Sequence, residues 1–201
     1  MRATVKVDRY RPGDLTGVYR VCLETGEAGS DATDLHDDPN LLGHVYVGPY
    51  ACLQPDHAFV LRDGDEVLGY ALGALDTAAF ERACEARWWP PLRAMYPRDR
   101  DRRPRDTDLV GLIHTPERSP DDLLADWPSH LHIDLRRRAQ GRGFGRAMIE
   151  AVVASLRDAG SRGIHLGVAR SNARAIGFYE HLGWRRLHER GDELLMGFDP
   201  T

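Results

Sequence analysis

Short stretches that alternate apolar and polar residues recur along this chain, and segments with apolar residues three and four apart lie between them. Within Thr4–Arg9, Val5 and Val7 alternate with polar neighbours, which predicts an opening strand. Pro12-Gly13-Asp14 then introduces Leu15, Val18, Tyr19 and Cys22 on one helical face. A polar, acidic connector fills 31–40, and a second helix is predicted over 40–53, interrupted by Gly43, Gly48 and Pro49. Segments 57–62 and 66–75 read as the arms of a hairpin turned at Asp63-Gly64-Asp65.

Past the hairpin, 76–89 fits a helix with Ala79, Phe80, Ala83 and Ala86 facing inward. Pro97 to Pro104 is an Arg/Asp-rich turn region expected on the surface, and Leu109 to His114 reads as a short strand. Another strand covers His130 to Leu135. The helix after it, Phe144 to Ala159, sets Phe144, Ala147, Met148, Ala151, Val152, Ser155 and Leu156 at spacings of three and four, and Gly160 stops it. Ile164, Leu166 and Val168 alternate within 163–169. Ser171 or Asn172 can cap the next helix, which ends at Gly183. Two further strands, 184–187 and 193–198, close the chain, and no internal repeat is visible.

One junction in this pattern carries chemistry. Gln140-Gly141-Arg142-Gly143-Phe144-Gly145 connects the strand at 131–135 to the helix that starts at Phe144. A glycine-rich turn running into a helix N-terminus aims several backbone N–H groups, and the positive end of the helix dipole, at one point. The glycines at 141, 143 and 145 permit angles that side chains forbid, and Arg142 and Arg146 add charge. A phosphate-bearing ligand fits such a point; a plain strand-to-helix connection is the competing reading. Arg146-Ala147 follows the last glycine, so a Walker loop is excluded. The alternation of Gly141, Gly143 and Gly145 does not match a dinucleotide fingerprint.

Length and charge narrow the class. The 201 residues suffice for one well-buried domain. The net charge of −4 argues against a general nucleic-acid binder, so Arg136-Arg137-Arg138 reads first as a solvated rim that can reach a phosphate ligand. No stretch approaches the roughly 20 apolar residues of a membrane span, and Met1-Arg2-Ala3-Thr4 opens no signal peptide. Cys22, Cys52 and Cys84 are odd in number and widely spaced. They read as buried thiols in a reducing compartment, with a cytoplasmic location expected and no metal site.

Three features now stand in order: the strand and Gln-x-x-Gly-x-Gly turn of 131–145, Asn172-Ala173-Arg174-Ala175-Ile176-Gly177-Phe178-Tyr179, and Leu182-Gly183-Trp184 opening a strand. Together they resemble the GNAT family of acetyl-CoA-dependent acyltransferases over roughly 127–198. Tyr19-Arg20-Val21-Cys22, Gly69-Tyr70-Ala71-Leu72-Gly73 and Gly160-Ser161-Arg162-Gly163 extend the likeness over most of the chain. There it is similar to the acetyltransferase-like C-terminal domains of O-GlcNAcases, as found in free-standing bacterial relatives. The resemblance implies a single α/β domain over 1–201, with a central twisted mixed sheet, helices on both faces and an insertion at about 76–128. It implies acetyl-CoA as cosubstrate, no metal, and transfer of acetyl to a primary amine of a peptide or small molecule by direct attack. A non-catalytic module holding acetyl-CoA or a peptide is the alternative, and a homodimer through a free C-terminal edge strand stays open.

The implied cofactor residues are Gln140, Gly141, Arg142, Gly143, Phe144, Gly145 and Arg146 at the pyrophosphate, and Ile133, Asp134 and Leu135 along the pantetheine, with Ile133 N–H near the thioester carbonyl. Asn172 and Ala175 complete the set, although Asn172 would serve equally as a helix N-cap. Tyr179 matches the position that protonates or orients the leaving thiolate; packing against Phe178 on the core is the other reading. Asp134 can act as general base, with His132 on the same strand face, or can pair with one of Arg136 to Arg138. His130 and His165 are weaker candidates for the same task. Trp88, Trp89, Trp127 and Tyr96 either fill the core or wall an acceptor pocket.

Overall fold

The structure, a computed structural model, describes residues 4–201; Met1, Arg2 and Ala3, where the sequence opens without a signal-peptide pattern, lie outside the described residues. Seven strands form one sheet among the described residues: β1 Lys6–Arg9, β2 Ala58–Asp63, β3 Glu66–Ala74, β4 Ser129–Leu135, β5 Ile164–Ala169, β6 Arg185–Arg190 and β7 Glu193–Phe198. Their order is β1-β2-β3-β4-β5-β7-β6. Only β4 and β5 run parallel; every other neighbouring pair is antiparallel.

Helices cover both faces. On one side lie α1 Leu15–Thr25, α2 Leu41–Tyr46, α3 Gly48–Leu53, α4 Thr77–Ala83, α5 Trp89–Met95 and α6 Pro104–His114, whose apolar residues pack with Val60, Tyr70 and Leu72. A short helix α7, Asp121–Asp126, leads into β4. On the other side α8 Phe144–Asp158 packs on Leu61, Leu68 and Ala71, and α9 Ala173–His181 adds Ile176 and Tyr179 to that core. The α8 stripe of Met148, Ile149, Val152 and Leu156 is buried; covering each such side chain contributes roughly 1.5–3 kcal/mol. Ala147, expected on that stripe, is exposed, and Ile149 takes its place.

Several sequence expectations are corrected. Leu109 to His114 is the end of α6, not a strand. Pro104 fixes the first helical turn, Asp106 sits at the positive end of its dipole, and Leu109, Val110 and Ile113 share a buried helical face. The 76–89 segment buries Thr77, Phe80 and Cys84, while Ala79 and Ala86 are exposed. Thr77, Phe80 and Cys84 keep spacings of three and four, one position beside Ala79 and Ala83, and the π-helical turn Cys84–Trp88 shifts the face only beyond them, at Ala86. Between 40 and 53 the break comes at Val47, whereas Gly43 lies within α2, where its lack of a side chain makes room for the Tyr19 ring. Finally, Cys52 is exposed while Cys22 and Cys84 are buried; all three thiols are free.

Candidate functional site

β4 is where the site begins. Its ladder with β5 consists of two pairs, Ser129 with Ile164 and His130 with His165, and stops there. Ser129 N–H donates to the Gly163 carbonyl at 3.1 Å, and Arg136 N–H donates to the Leu68 carbonyl at 2.9 Å on the opposite edge. Strand alternation therefore turns the N–H groups of Ile133 and Leu135 towards β5, into the gap left where the ladder ends. Their side chains pack towards α8. The strand is thus held by β3 along one edge, where Ile133 faces Ala71 and Leu135 faces Gly69, and open along the other.

At the end of β4 the glycine loop turns into α8. Gly141 and Gly143 have φ of 71° and 82°, and no atom lies within 4 Å of a side chain built at either. The loop is an open cradle in a conformation that favours glycine. Gly143 is the residue preceding the first turn of α8, so the free N–H groups of that turn face the cradle. Gly145 differs from the expectation: its φ is not positive, and its smallness makes room for Phe178, whose Cζ would lie 3.2 Å from an added Cβ. The Gln140 side chain donates from Nε2 to the Leu135 carbonyl at 2.8 Å and ties the loop to the strand. Arg142 lies over the Phe144 ring at 5.1 Å, and Arg146 pairs with Glu150 at 3.7 Å, both arginines remaining exposed.

The second face of β4 is polar. His130, His132 and Asp134 project from it at period two, towards the α1–α4 side. Tyr70 on β3 donates its hydroxyl proton to Asp134 Oδ2 at 2.6 Å and lies 3.1 Å from His132 Nε2. His132 Nε2 is itself 3.2 Å from the same carboxylate oxygen. Asp134 therefore does not pair with the arginines that follow it. Arg136 is bound to Glu24 and Glu66 instead, and Arg138 also pairs with Glu66. Burial, reinforced by the Asp134 charge, holds the Tyr70 hydroxyl protonated far above the ordinary tyrosine range. Burial also drives His130 down to about 3, with His165 and His132 adding to the effect. His130 is hydrogen-bonded on both nitrogens, to Tyr50 and Thr77 at 2.7 Å each, and His165 Nδ1 faces the Trp127 carbonyl at 2.8 Å. Both are structural histidines. Among the described residues no group of three or more His, Cys, Asp or Glu side chains is arranged to hold a metal ion.

Tyr179, on α9, is buried against Trp184, with ring centroids 5.8 Å apart. Its hydroxyl makes no hydrogen bond among the described residues, and burial together with the nearby Asp134 charge raises it well above the ordinary value. Packing and an available O–H thus coexist in one side chain, while the neighbouring Phe178 is half-buried. Asn172 caps α9 by accepting the Ala175 N–H at 3.1 Å, so those two residues are brought together by the helix start itself.

A cavity of about 240 Å³ opens beside His132 and Asp134's face of the strand, walled by Tyr46, Tyr50, Phe80 and Trp89 and edged by Glu81 and Glu117. Of the four aromatic residues singled out from sequence, only Trp89 lines it. Trp88 donates to the His44 carbonyl, Tyr96 to Asp38, and Trp127 stacks under Arg185. Tyr70, Tyr46 and Tyr50 were missed by the sequence reading. A tyrosine in the otherwise apolar run of β3 was the available signal, since a buried phenol needs a partner.

The fold is shared with proteins of known structure. The structure of SsHAT superposes with a TM-score of 0.91 at 36% identity, covering 98% of this chain and 99% of that one. The structure of yncA from Salmonella typhimurium, solved with its cofactor acetyl-CoA, shares the fold with a TM-score of 0.58 at 14% identity, covering 98% and 94% of the two chains. Protein O-GlcNAcase of Rattus norvegicus is 29% identical over 177 residues, which cover 87% of this chain. The chain spans 19% of that relative's length. No helix of the described residues is long and apolar enough to cross a membrane. The model of the acetyltransferase (GNAT) family matches residues 30–184, and the chain belongs to that family.

Proposed function

We propose that this chain is an N-acetyltransferase that moves acetyl from acetyl-CoA to a primary amine of a peptide or small molecule, by direct attack and without a covalent enzyme intermediate. The observation that carries the reading is the β4–β5 gap: a strand edge with free N–H groups, ending in an open, positively polarised loop. Such an edge and cradle fit a ligand that is a chain of amides ending in a diphosphate. Gly141 to Arg146 would hold the diphosphate, and Ile133, Asp134 and Leu135 would line the amide chain. Asn172 and Ala175 would flank it from the start of α9.

When bound, acetyl-CoA supplies an acyl group already activated as a thioester. The chain's own residues do the rest. Ile133 N–H donates to the acyl oxygen as it gains negative charge, and a fixed backbone donor favours that state over the neutral one. The Asp134–His132 pair takes the proton that the amine must lose. Tyr179 donates its O–H to the departing sulfur. The cavity beside His132 admits the amine; its volume lies below the range of drug-sized sites, which suits a small amine or one side chain of a peptide. The free cysteines support a reducing, cytoplasmic setting. Isothermal calorimetry with acetyl-CoA and with CoA, followed by thiol release over a panel of amines, tests the proposal. Binding in the micromolar range or tighter with turnover is the expected result. No heat with either ligand removes it, and binding without turnover of any amine leaves a binding module.

A further inference from the structure

Tyr70, His132 and Asp134 converge on one carboxylate oxygen, and their protons can be counted. An ionised Asp134 has none to give, so the 2.6 Å contact to Oδ2 takes the single hydroxyl proton of Tyr70. With that proton spent, the 3.1 Å contact between Tyr70 Oη and His132 Nε2 is a hydrogen bond only if Nε2 carries a hydrogen. The 3.2 Å approach of Nε2 to Asp134 Oδ2 demands the same. Neutral His132 therefore holds its hydrogen on Nε2 and its lone pair on Nδ1, which makes no hydrogen bond to the protein among the described residues. The ring lines the cavity, is stacked by Tyr46 at 6.2 Å, and is 35% exposed, enough for a proton to leave to solvent.

We propose that His132, at Nδ1, is the group that takes the acceptor amine's proton, and that Asp134 and Tyr70 are positioning residues that fix its tautomer. The assignment rests on the acetyl-transfer reading above. In the step, the attacking amine's N–H bond breaks and its proton joins the Nδ1 lone pair. The nitrogen's electron pair forms the C–N bond, and the sulfur leaves with the two electrons of the broken C–S bond and takes a proton from Tyr179. His132 then yields its proton to solvent and Tyr179 regains one, so the net change moves acetyl to nitrogen and one proton to sulfur. The imidazolium formed on the way faces the Asp134 carboxylate, which stabilises it as it forms.

The tautomer is read directly by long-range ¹H–¹⁵N correlation on labelled protein, at a pH where the imidazole is neutral. The expected signature is Nε2–H with a bare Nδ1; an Nδ1–H signature overturns the proposal and leaves Asp134 as base. In parallel, thiol release from acetyl-CoA is followed with butylamine, spermidine and a lysine-bearing pentapeptide. His132→Ala should lose roughly a hundredfold or more and regain rate in proportion to added imidazole, with acetyl-CoA binding by calorimetry unchanged. A His132→Ala rate within about threefold of wild type, or no imidazole rescue with cofactor binding intact, overturns it. Wild-type protein that binds no acetyl-CoA ends the acetyl-transfer reading and the role given to His132 with it. An Nδ1–H signature with intact cofactor binding ends only the latter.

Discussion

Lowering the pH from 7.5 to 5.5 should weaken the native chain in part through His130. Its ring nitrogens are occupied by Tyr50 and Thr77, and burial, with His165 and His132 nearby, pushes it from 6.5 to about 3. The native state therefore refuses a proton that the unfolded chain accepts between those values. The unfolded state binds more protons in that window, so stability rises with pH through it and falls as pH drops below about 6.5. At pH 5.5, one unit below the unfolded value, this single group costs about 1.4 kcal/mol, and at pH 4.5 about 2.7 kcal/mol. His130→Gln removes the proton acceptor along with the hydrogen-bond geometry, so the variant is less stable at pH 7.5. Its deficit should then narrow by about 1.4 kcal/mol at pH 5.5, because glutamine takes up no proton in either state. Urea unfolding at a series of pH values, followed by tryptophan fluorescence, measures the deficit. A deficit that stays constant across the window refutes the argument and means that His130 can be protonated in place.

Other outcomes follow from single contacts. Gly143→Ala meets no atom but places alanine at φ 82°. It should cost roughly 1–2 kcal/mol in unfolding while weakening acetyl-CoA by more than tenfold in calorimetry; an unchanged affinity would separate the loop's shape from its use. Asp106 is buried and receives His36 Nδ1 at 2.6 Å and the Asp37 N–H at 2.8 Å. Asp106→Ala should therefore lose about 1–3 kcal/mol by urea unfolding, and a loss under about 0.5 kcal/mol would show that the connector at 31–40 holds without it. Tyr179→Phe keeps the ring against Trp184 and removes only the O–H. Thiol release should fall roughly a hundredfold with little change in melting temperature, and unchanged turnover would strip Tyr179 of its role.

The strands and the glycine loop were legible because both obey short-range rules. Period two announced β4 and put His132 beside Asp134, and the positive φ values of Gly141 and Gly143 are the kind of demand that glycine alone meets cheaply. What stayed hidden depends on distance along the chain. Tyr70 lies 64 residues from Asp134, and only the β3–β4 register brings them together. The helix α6 was misread because Leu109 to Ile113 is a short apolar run, which a buried strand and a buried helix share, and its true start signal, Pro104, lies outside that run. Likewise the inward face of the 76–89 segment is set by Thr77 and Cys84, which a search for aliphatic positions passes over, and only from Cys84 onward does a π-helical turn change the period as well.

β4 offers two vocabularies at once. Along its open edge it presents only peptide groups, which every residue type supplies; across its polar flank it presents imidazoles and a carboxylate, which substitution can rewrite. Under the proposed reading, the donor is grasped by the anonymous part of the strand and the acceptor is judged by the personal part. A lineage could thus exchange the amine it prefers through changes at Tyr46, Glu81 or Glu117 while its grip on the coenzyme passed through untouched.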